Sequence, residues 1–281
     1  MVATKRADGS SADTDQLTEA FERTVEQGVF RLDRTLPDLL ATGLVGGADV
    51  ATGVLGLLIV KTATGSDLLA ALAFGIGFIA LTLANSELFT ENFFVPIAAV
   101  AARRATTVQV IRLWIGTAVM NLIGGWLLMG LVISAFPKFG PSAVEIGDHF
   151  HQIGIGWRSF AGALLGGMAI TLMTWMERST ESVPAKLLAA MSVAFLLAAA
   201  PLNHVIVTSL EMFAALQHGA PFGYATWAVT AAWYTIGNII GGVGMVTMLR
   251  LIQIGPDRLQ AARKPSRRRR SGRVTGSALS R

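Results

Sequence analysis

The chain lacks cysteine and is poor in charge. None of its 281 residues is a cysteine, which excludes disulfide bonds and thiolate chemistry. Charged residues make up 15% of the chain, against about 25% in an average soluble domain. A nucleophile paired with a base is missing too, as is a histidine cluster at metal-ligand spacing. We therefore expect neither an enzyme nor a bound cofactor or metal.

Apolar residues take the place of the missing charge. They form 52% of the chain and come in long blocks, which predicts an integral membrane protein with several spans. The first 35 residues are polar and mixed in charge, so no cleavable signal peptide is expected. The first span would then also direct insertion.

Six hydrophobic units approach or exceed the roughly 20 residues that cross a bilayer. They cover residues 37–60, 68–101, 107–136, 155–176, 184–217 and 222–253. The second is interrupted by ANSELFTENFFVP at 84–96, which carries Glu87 and Glu91, and the fifth by PLNH at 201–204. Carboxylates are costly in lipid and Pro201 disfavours helix. Both units are predicted to be broken helices that line a cavity.

Basic residues indicate the orientation. Of the 23 Lys and Arg, only Lys61, Lys138 and Arg158 fall on one side of the six units. The positive-inside rule then places both termini in the cytoplasm, with the protein in the inner (plasma) membrane. Residues 255–281 form a basic, disordered tail that is expected to contact anionic lipid rather than nucleic acid.

Residues 1–35 form a cytoplasmic segment before the membrane domain at 36–254. An amphipathic helix is predicted over 14–35, because apolar residues recur at steps of three or four: Leu17, Phe21, Val25, Val29 and Leu32. Two locations are open for it, the membrane surface or the underside of a neighbouring subunit.

A repeat relates the two halves of the chain. NLIGG begins at Asn121 and NIIGG at Asn238, an offset of 117. The same offset carries Glu87 onto His204. Since each half holds three spans, the halves have opposite orientations, and inverted repeats with paired broken helices are typical of transporters and channels.

SELFTENFFVP, NLIGG, GNIIGG and a histidine in the fifth unit together resemble the formate/nitrite transporter family over residues 36–253, in a less characterised branch. The resemblance implies an all-α membrane protein of six transmembrane helices, with an aquaporin-like inverted repeat and broken second and fifth helices. It also implies homopentamers in which each protomer has its own pore for small monovalent anions or their conjugate acids, such as formate, nitrite or acetate.

The family motifs carry pore roles over to this chain. His204 matches the central histidine, Thr90 the threonine that faces it, and Asn238 a polar neighbour of the pore. The apolar constrictions fall on Phe74, Phe78, Leu88, Phe89 and Leu197.

Four positions depart from the family pattern. Asn203 replaces a common glutamate, Thr208 an asparagine and Gly167 a pore-lining asparagine, while the vestibule lysine falls at about His151. The substrate of characterised members therefore does not transfer directly.

A histidine between apolar constrictions suits a weak-acid channel. A small anion meets a desolvation barrier there, and passing it as the neutral acid lowers that barrier. Whether His204 donates a proton or only polarises the solute stays open. We expect Glu87 and Glu91 to hold the break as a structural clamp, because carboxylates facing an anion pore would repel its substrate.

Arg158 follows His151 by seven residues, which would put both on one helix face. We hypothesise that the two attract anions in place of the missing lysine. The alternatives are an Arg that snorkels to the interface or pairs with Asp148 or Glu145. His149 and His151 themselves are expected in a solvated loop.

Two other functions remain open. An aquaporin-like channel for small neutral solutes would share this architecture, although paired Asn-Pro-Ala motifs are absent. A non-conducting membrane scaffold with a basic docking tail is the other alternative.

Overall fold

A computed structural model describes residues 5–264, with side chains from residue 17 onward. Every regular element in that range is helical. Most of the predicted basic tail, residues 265–281, lies outside the described residues. The described part is not disordered as predicted, since it is helical over Pro256–Ala261.

The first half of the chain contains five helices. They are α1 (Lys5–Leu32), α2 (Leu36–Thr64), α3 (Asp67–Ala84), α4 (Val95–Ala101) and α5 (Thr107–Ala135), with a 3₁₀ turn at Phe89–Phe93. Thr35 caps α2, since its side chain accepts a hydrogen bond from the Asp38 N–H. Thr106 and Gln109 form a capping box at the start of α5.

The second half repeats this order. It contains α6 (Gly140–Ile153), α7 (Trp157–Arg178), α8 (Val183–Ala199), α9 (Val205–Gln217), α10 (Tyr224–Ile239), α11 (Met248–Ile254) and α12 (Pro256–Ala261). A π-helical segment, Ile240–Thr247, joins α10 to α11. In both halves an amphipathic helix comes first: α1 packs against α4, and α6 packs against α9.

The helices stop where the sequence places the breaks. The first interruption covers residues 85–88. It begins at Asn85, which ends α3 in the left-handed conformation at φ 54°. The second interruption, residues 200–204, separates α8 from α9. The two half-helices α3 and α8 pack against each other, which brings both interruptions into the interior.

Within residues 5–264, five helical stretches are long and apolar enough to cross a membrane: α2, α3, α5, α7 and the stretch Tyr224–Ile254. The segments Phe89–Ala101, Val183–Ala199 and Val205–Gln217 are apolar but shorter. The number of crossings stays a prediction. Outward faces are apolar along their length, as on α5, where the exposed side chains include Val108, Ile111, Ile115, Val119, Ile123, Leu127 and Leu131. Such a stripe is typical of contact with lipid or a neighbouring subunit.

The amphipathic helix α1 is docked on its own chain. Phe21 and Val25 are buried in one cluster with Phe94 and Ala98 of the α4 region. Gly28 allows the close approach, since a Cβ there would lie 2.4 Å from the Val95 carbonyl oxygen. α4 covers this apolar face, and a location of the helix at the membrane surface or under a neighbouring subunit stays a prediction.

Candidate pore and its entrance

Asn121 of α5 holds the first interruption. Its Oδ1 accepts a hydrogen bond from the Phe89 N–H at 2.8 Å. Its Nδ2 donates to the carbonyl oxygens of Gly43 at 2.7 Å and Glu87 at 2.8 Å. A buried amide thus supplies the partners that the broken backbone has lost.

Asn238 of α10 does the same for the second interruption. Its Oδ1 accepts from the Val205 N–H at 2.8 Å, and its Nδ2 donates to the carbonyls of Ala163 at 2.7 Å and Asn203 at 2.9 Å. Both hydrogens of the Asn238 amide are used, so it has no donor left for a solute. Asn121 and Asn238 are called the asparagine clamps below.

The clamps correct the register of the repeat. Asn121 binds the Glu87 carbonyl and Asn238 binds the Asn203 carbonyl, so Glu87 and Asn203 are equivalent positions in the two halves. Leu88 is then equivalent to His204, whereas the 117-residue offset made Glu87 equivalent to His204. The carbonyl that each clamp binds lies 34 residues before Asn121 but 35 residues before Asn238. The second half has one residue more between the interruption and its clamp, which a constant offset cannot represent.

Gly167 allows α7 and α10 to pack closely against each other. A Cβ on Gly167 would lie 2.1 Å from the Asn238 carbonyl oxygen, and one on Gly47 would lie equally close to that of Asn121. Position 167 therefore has no room for a pore-lining side chain in this chain.

Buried ion pairs fill the first interruption. Arg31 Nε lies 3.1 Å from Glu87 Oε1, and Arg31 Nη2 lies 3.4 Å from Glu91 Oε2. Arg34 Nη1 lies 2.7 Å from the same Glu87 oxygen, and Arg31 Nη1 donates to Asn92 Oδ1 at 2.9 Å. Two guanidinium groups thus face two carboxylates. Both carboxylates are directed at α1 and its end, away from lipid.

His204 and Thr90 meet in the interior between the interruptions. Thr90 Oγ1 lies 2.6 Å from His204 Nε2, and both residues are fully buried. His204 Nδ1 accepts a hydrogen bond from the Val207 N–H at 3.2 Å, which caps α9. Because an accepting nitrogen carries no proton, the proton of the neutral ring is assigned to Nε2 and points at Thr90. The Thr90 hydroxyl hydrogen is then available to a solute.

Apolar side chains occupy the predicted constriction positions. All five predicted constriction residues are buried, with at most 4% exposure: Phe74, Phe78, Leu88, Phe89 and Leu197. The rings of Phe74 and Phe78 lie 5.6 Å apart. The Phe89 ring packs edge-on against Phe93 and Trp114, so it belongs to an aromatic cluster next to α5.

A cavity of about 460 Å³ opens between α2, α3, α6, α8 and α9. We call it the vestibule. Its apolar wall includes Leu197 and Val207, and the Val207 N–H is the group that bonds His204. Val207 therefore both lines the vestibule and bonds the central histidine. Its polar wall carries Lys61, Asp148, His149 and Glu211, among others.

The predicted shared face of His151 and Arg158 is wrong. α6 ends at Ile153, Gly154 takes φ 63°, and α7 begins only at Trp157. His151 instead lies against the Phe222 ring at 5.4 Å, and Arg158 is exposed. Neither lines the vestibule. His151 and Arg158 therefore do not act together as an anion attractor on one helix face, while a separate role for Arg158 stays a prediction.

The expected loop around these histidines is helical too, since His149 and His151 both lie on α6. His149 is half-buried, and burial, followed by the Arg158 charge, lowers the pKa of its imidazole. It is therefore neutral near pH 7.

The remaining two departures lie in the interior. Asn203 donates from Nδ2 to the Ser159 carbonyl at 2.7 Å, at the start of α7. Thr208 is buried, and its hydroxyl oxygen has no hydrogen-bond partner within the described residues. Thr208 lies on α9, one turn after His204.

Three charged residues of the site escaped the sequence prediction: Arg31, Arg34 and Glu211. Glu211 carried the same signal as Glu87, a carboxylate inside an apolar unit. The arginines carried none, because their partners lie about 60 residues further along the chain.

Known proteins with similar sequences are membrane transporters. The family model "Formate/nitrite transporter" matches residues 18–252. The uncharacterized transporter YrhG of Bacillus subtilis is 26% identical over 249 residues, 83% of this chain and 91% of that protein. The formate channel BtFdhC of Bacillus thuringiensis is 26% identical over 243 residues, 80% and 90% of the two chains. Inner membrane protein YfdC of Escherichia coli is 26% identical over 273 residues, 90% and 83%.

Solved structures share the fold. An "FNT family ion channel" superposes with a TM-score of 0.71 at 19% identity, over 82% of this chain and 97% of that one. A "pentameric formate channel with formate bound" gives a TM-score of 0.65 at 20% identity, over 76% and 95%. The chain therefore belongs to the formate/nitrite transporter family, whose members are channels and transporters rather than enzymes, as the sequence predicts.

Proposed function

We propose that the protein is a channel for small monovalent anions or their conjugate weak acids, of the formate, nitrite or acetate type. The observation that carries this is the buried His204–Thr90 pair, with 2.6 Å between Nε2 and Oγ1. The predicted apolar constriction residues are buried, and Val207, which bonds His204, lines the vestibule. A relative from Bacillus thuringiensis that is named a formate channel supports the solute class.

The hydrogen-bond pattern favours polarisation over proton donation by the histidine. A second ring proton would have to bind Nδ1 and would break the bond from the Val207 N–H. The neutral ring instead holds Thr90 through Nε2–H, so that the threonine hydroxyl hydrogen points to the solute. A neutral acid passing this point avoids most of the desolvation cost that an anion would meet.

The setting follows the sequence prediction. The protein spans the plasma membrane in contact with lipid, with both termini in the cytoplasm, and assembles as a homopentamer. The apolar outer stripe on α5 supports contact with lipid or neighbouring subunits, and a pentameric formate channel shares the fold. Residues 1–35, 36–254 and 255–281 act as N-terminal segment, channel domain and tail.

Glu87 and Glu91 serve as the structural clamp of the first interruption. Their ion pairs with Arg31 and Arg34 support this role, because those arginines belong to α1 and its end, not to the vestibule.

A flux panel in proteoliposomes tests the function. Formate, nitrite and acetate uptake by the wild type should rise as the pH falls. His204→Ala should reduce it about tenfold or more, the equivalent of a lost buried hydrogen bond. His218→Ala, an exposed histidine at the end of α9, is the control.

Other results would exclude the proposal. Flux of water or glycerol without flux of these solutes would indicate the aquaporin-like alternative. Absence of all flux from correctly assembled protein would indicate the scaffold.

A further inference from the structure

Glu211 presents an unpartnered carboxyl group to the vestibule. It lies on α9, is 6% exposed and lines the cavity wall. Within the described residues its side chain forms no hydrogen bond and no ion pair. The Thr208 hydroxyl, one turn earlier on α9, also lacks a partner. A buried polar group open to a cavity and without a partner is suited to bind something that enters the cavity.

The cations nearby are already engaged or neutral. Lys61 Nζ lies 2.6 Å from Asp67 Oδ1 and 2.9 Å from Glu145 Oε1. His149 is neutral because burial lowers the pKa of its imidazole. The vestibule thus carries more carboxyl groups than positive charges.

The other elements packed against α9 offer no counter-charge. Besides Lys61 on α2, which is already paired, the charged or titratable groups on α2, α5 and α10 form no ion pair with Glu211 in the described structure: Asp38, Asp49, Arg112, Tyr224 and Tyr234. On α6, Asp148 accepts a hydrogen bond from Gln152 and stays on the vestibule wall. An ionised Glu211 would therefore be a buried charge without an ion-pair partner among the described residues.

Two carboxyl groups in contact at such a place hold one proton between them, because like charges cannot both be ionised there. We propose that Glu211 and the carboxyl group of the permeating solute form such a pair, and that Glu211 supplies the proton with which the anion becomes the neutral acid. The inference rests on the proposed weak-acid channel function.

The proton transfer balances without a further reactant. The O–H bond of Glu211 breaks as an O–H bond forms on a carboxylate oxygen of the solute. Glu211, left as a carboxylate, takes a proton from vestibule water. The neutral acid then passes Leu197 toward Thr90 and His204. Proton uptake would thus occur at the entrance, before the central histidine.

Uptake of ¹³C-formate into proteoliposomes, measured over a series of external pH values, tests this role. In Glu211→Gln only formic acid already protonated in solution can pass, so uptake should fall about tenfold for each unit of rising pH. The wild type should fall much less steeply. Glu211→Asp keeps a titratable proton and should retain the shallow profile, and Asp148→Asn, a carboxyl group on the same wall, is the matched control.

The outcomes separate this inference from the proposed function. Parallel pH profiles of wild type and Glu211→Gln, with formate flux present, would overturn the role of Glu211 alone. Absence of formate, nitrite and acetate flux in the wild type would overturn the channel function and this inference with it. Should Glu211→Gln fail to assemble, Glu211→Met, which buries no polar atom, provides the same comparison.

Discussion

The two interruptions share one backbone solution and differ in what surrounds it. Each is held by an asparagine with the same three hydrogen bonds. Around the first lie two arginines and two glutamates in buried ion pairs. Beside the second lie His204, apolar side chains and the vestibule. The repeat therefore gives both interruptions the same backbone support. The side chains differ: ion pairs surround the first, and the His204–Thr90 pair lies at the second.

Removing Arg31 should break the first interruption most severely. Arg31→Met leaves Glu91 without its ion-pair partner and Glu87 with Arg34 alone. Removing one partner of a buried ion pair lowers the free energy of unfolding by about 3–5 kcal/mol. The melting temperature of the protein in detergent should fall accordingly. Arg23→Met is the control, since Arg23 pairs with exposed Glu19 and Glu181 at 3.7 Å. Equal melting temperatures for the two variants would contradict the structural role of the ion pairs at Glu87 and Glu91.

Substituting the asparagine clamps tests the shared half of the comparison. Asn121→Ala and Asn238→Ala each remove three buried hydrogen bonds, at about 1 kcal/mol net apiece. The two should therefore destabilise the protein by similar amounts, about 2–4 kcal/mol, in thermal unfolding. If one variant were tolerated and the other not, the two interruptions would not be equivalent.

The smallest effect is expected at Arg158. Its side chain is exposed and does not line the vestibule, so Arg158→Gln should change stability by less than about 0.5 kcal/mol. Formate uptake should fall no more than about twofold at low ionic strength, and the loss should vanish when salt screens the charge. A loss that persisted at high salt would give Arg158 a direct part in the entrance.

Local patterns were enough to predict much of the fold. Pro201 and the carboxylates at 87 and 91 interrupt long apolar runs, and the helices end at both places. The apolar spacing of Phe21, Val25 and Leu32 predicted the buried face of α1. These features depend on neighbours within a few turns, which a single sequence displays.

Long-range pairing accounts for what the sequence did not reveal. Arg31 is 4% exposed although it lies outside the apolar stripe of α1, because Glu87 and Glu91 bind it. α6 was missed as a helix, yet it stands where α1 stands in the first half and could have been inferred from the repeat. The register error at His204 arose because one added residue in the second half shifts the pairing.

Docking of α1 on the first interruption has a consequence for biogenesis. Arg31 is synthesised 60 residues before Glu91, so the basic partner already exists when the acidic segment leaves the ribosome. The two carboxylates can then enter the bilayer already neutralised. The second interruption is uncharged and needs no such earlier partner, which makes the order of synthesis part of how the first half becomes a membrane domain.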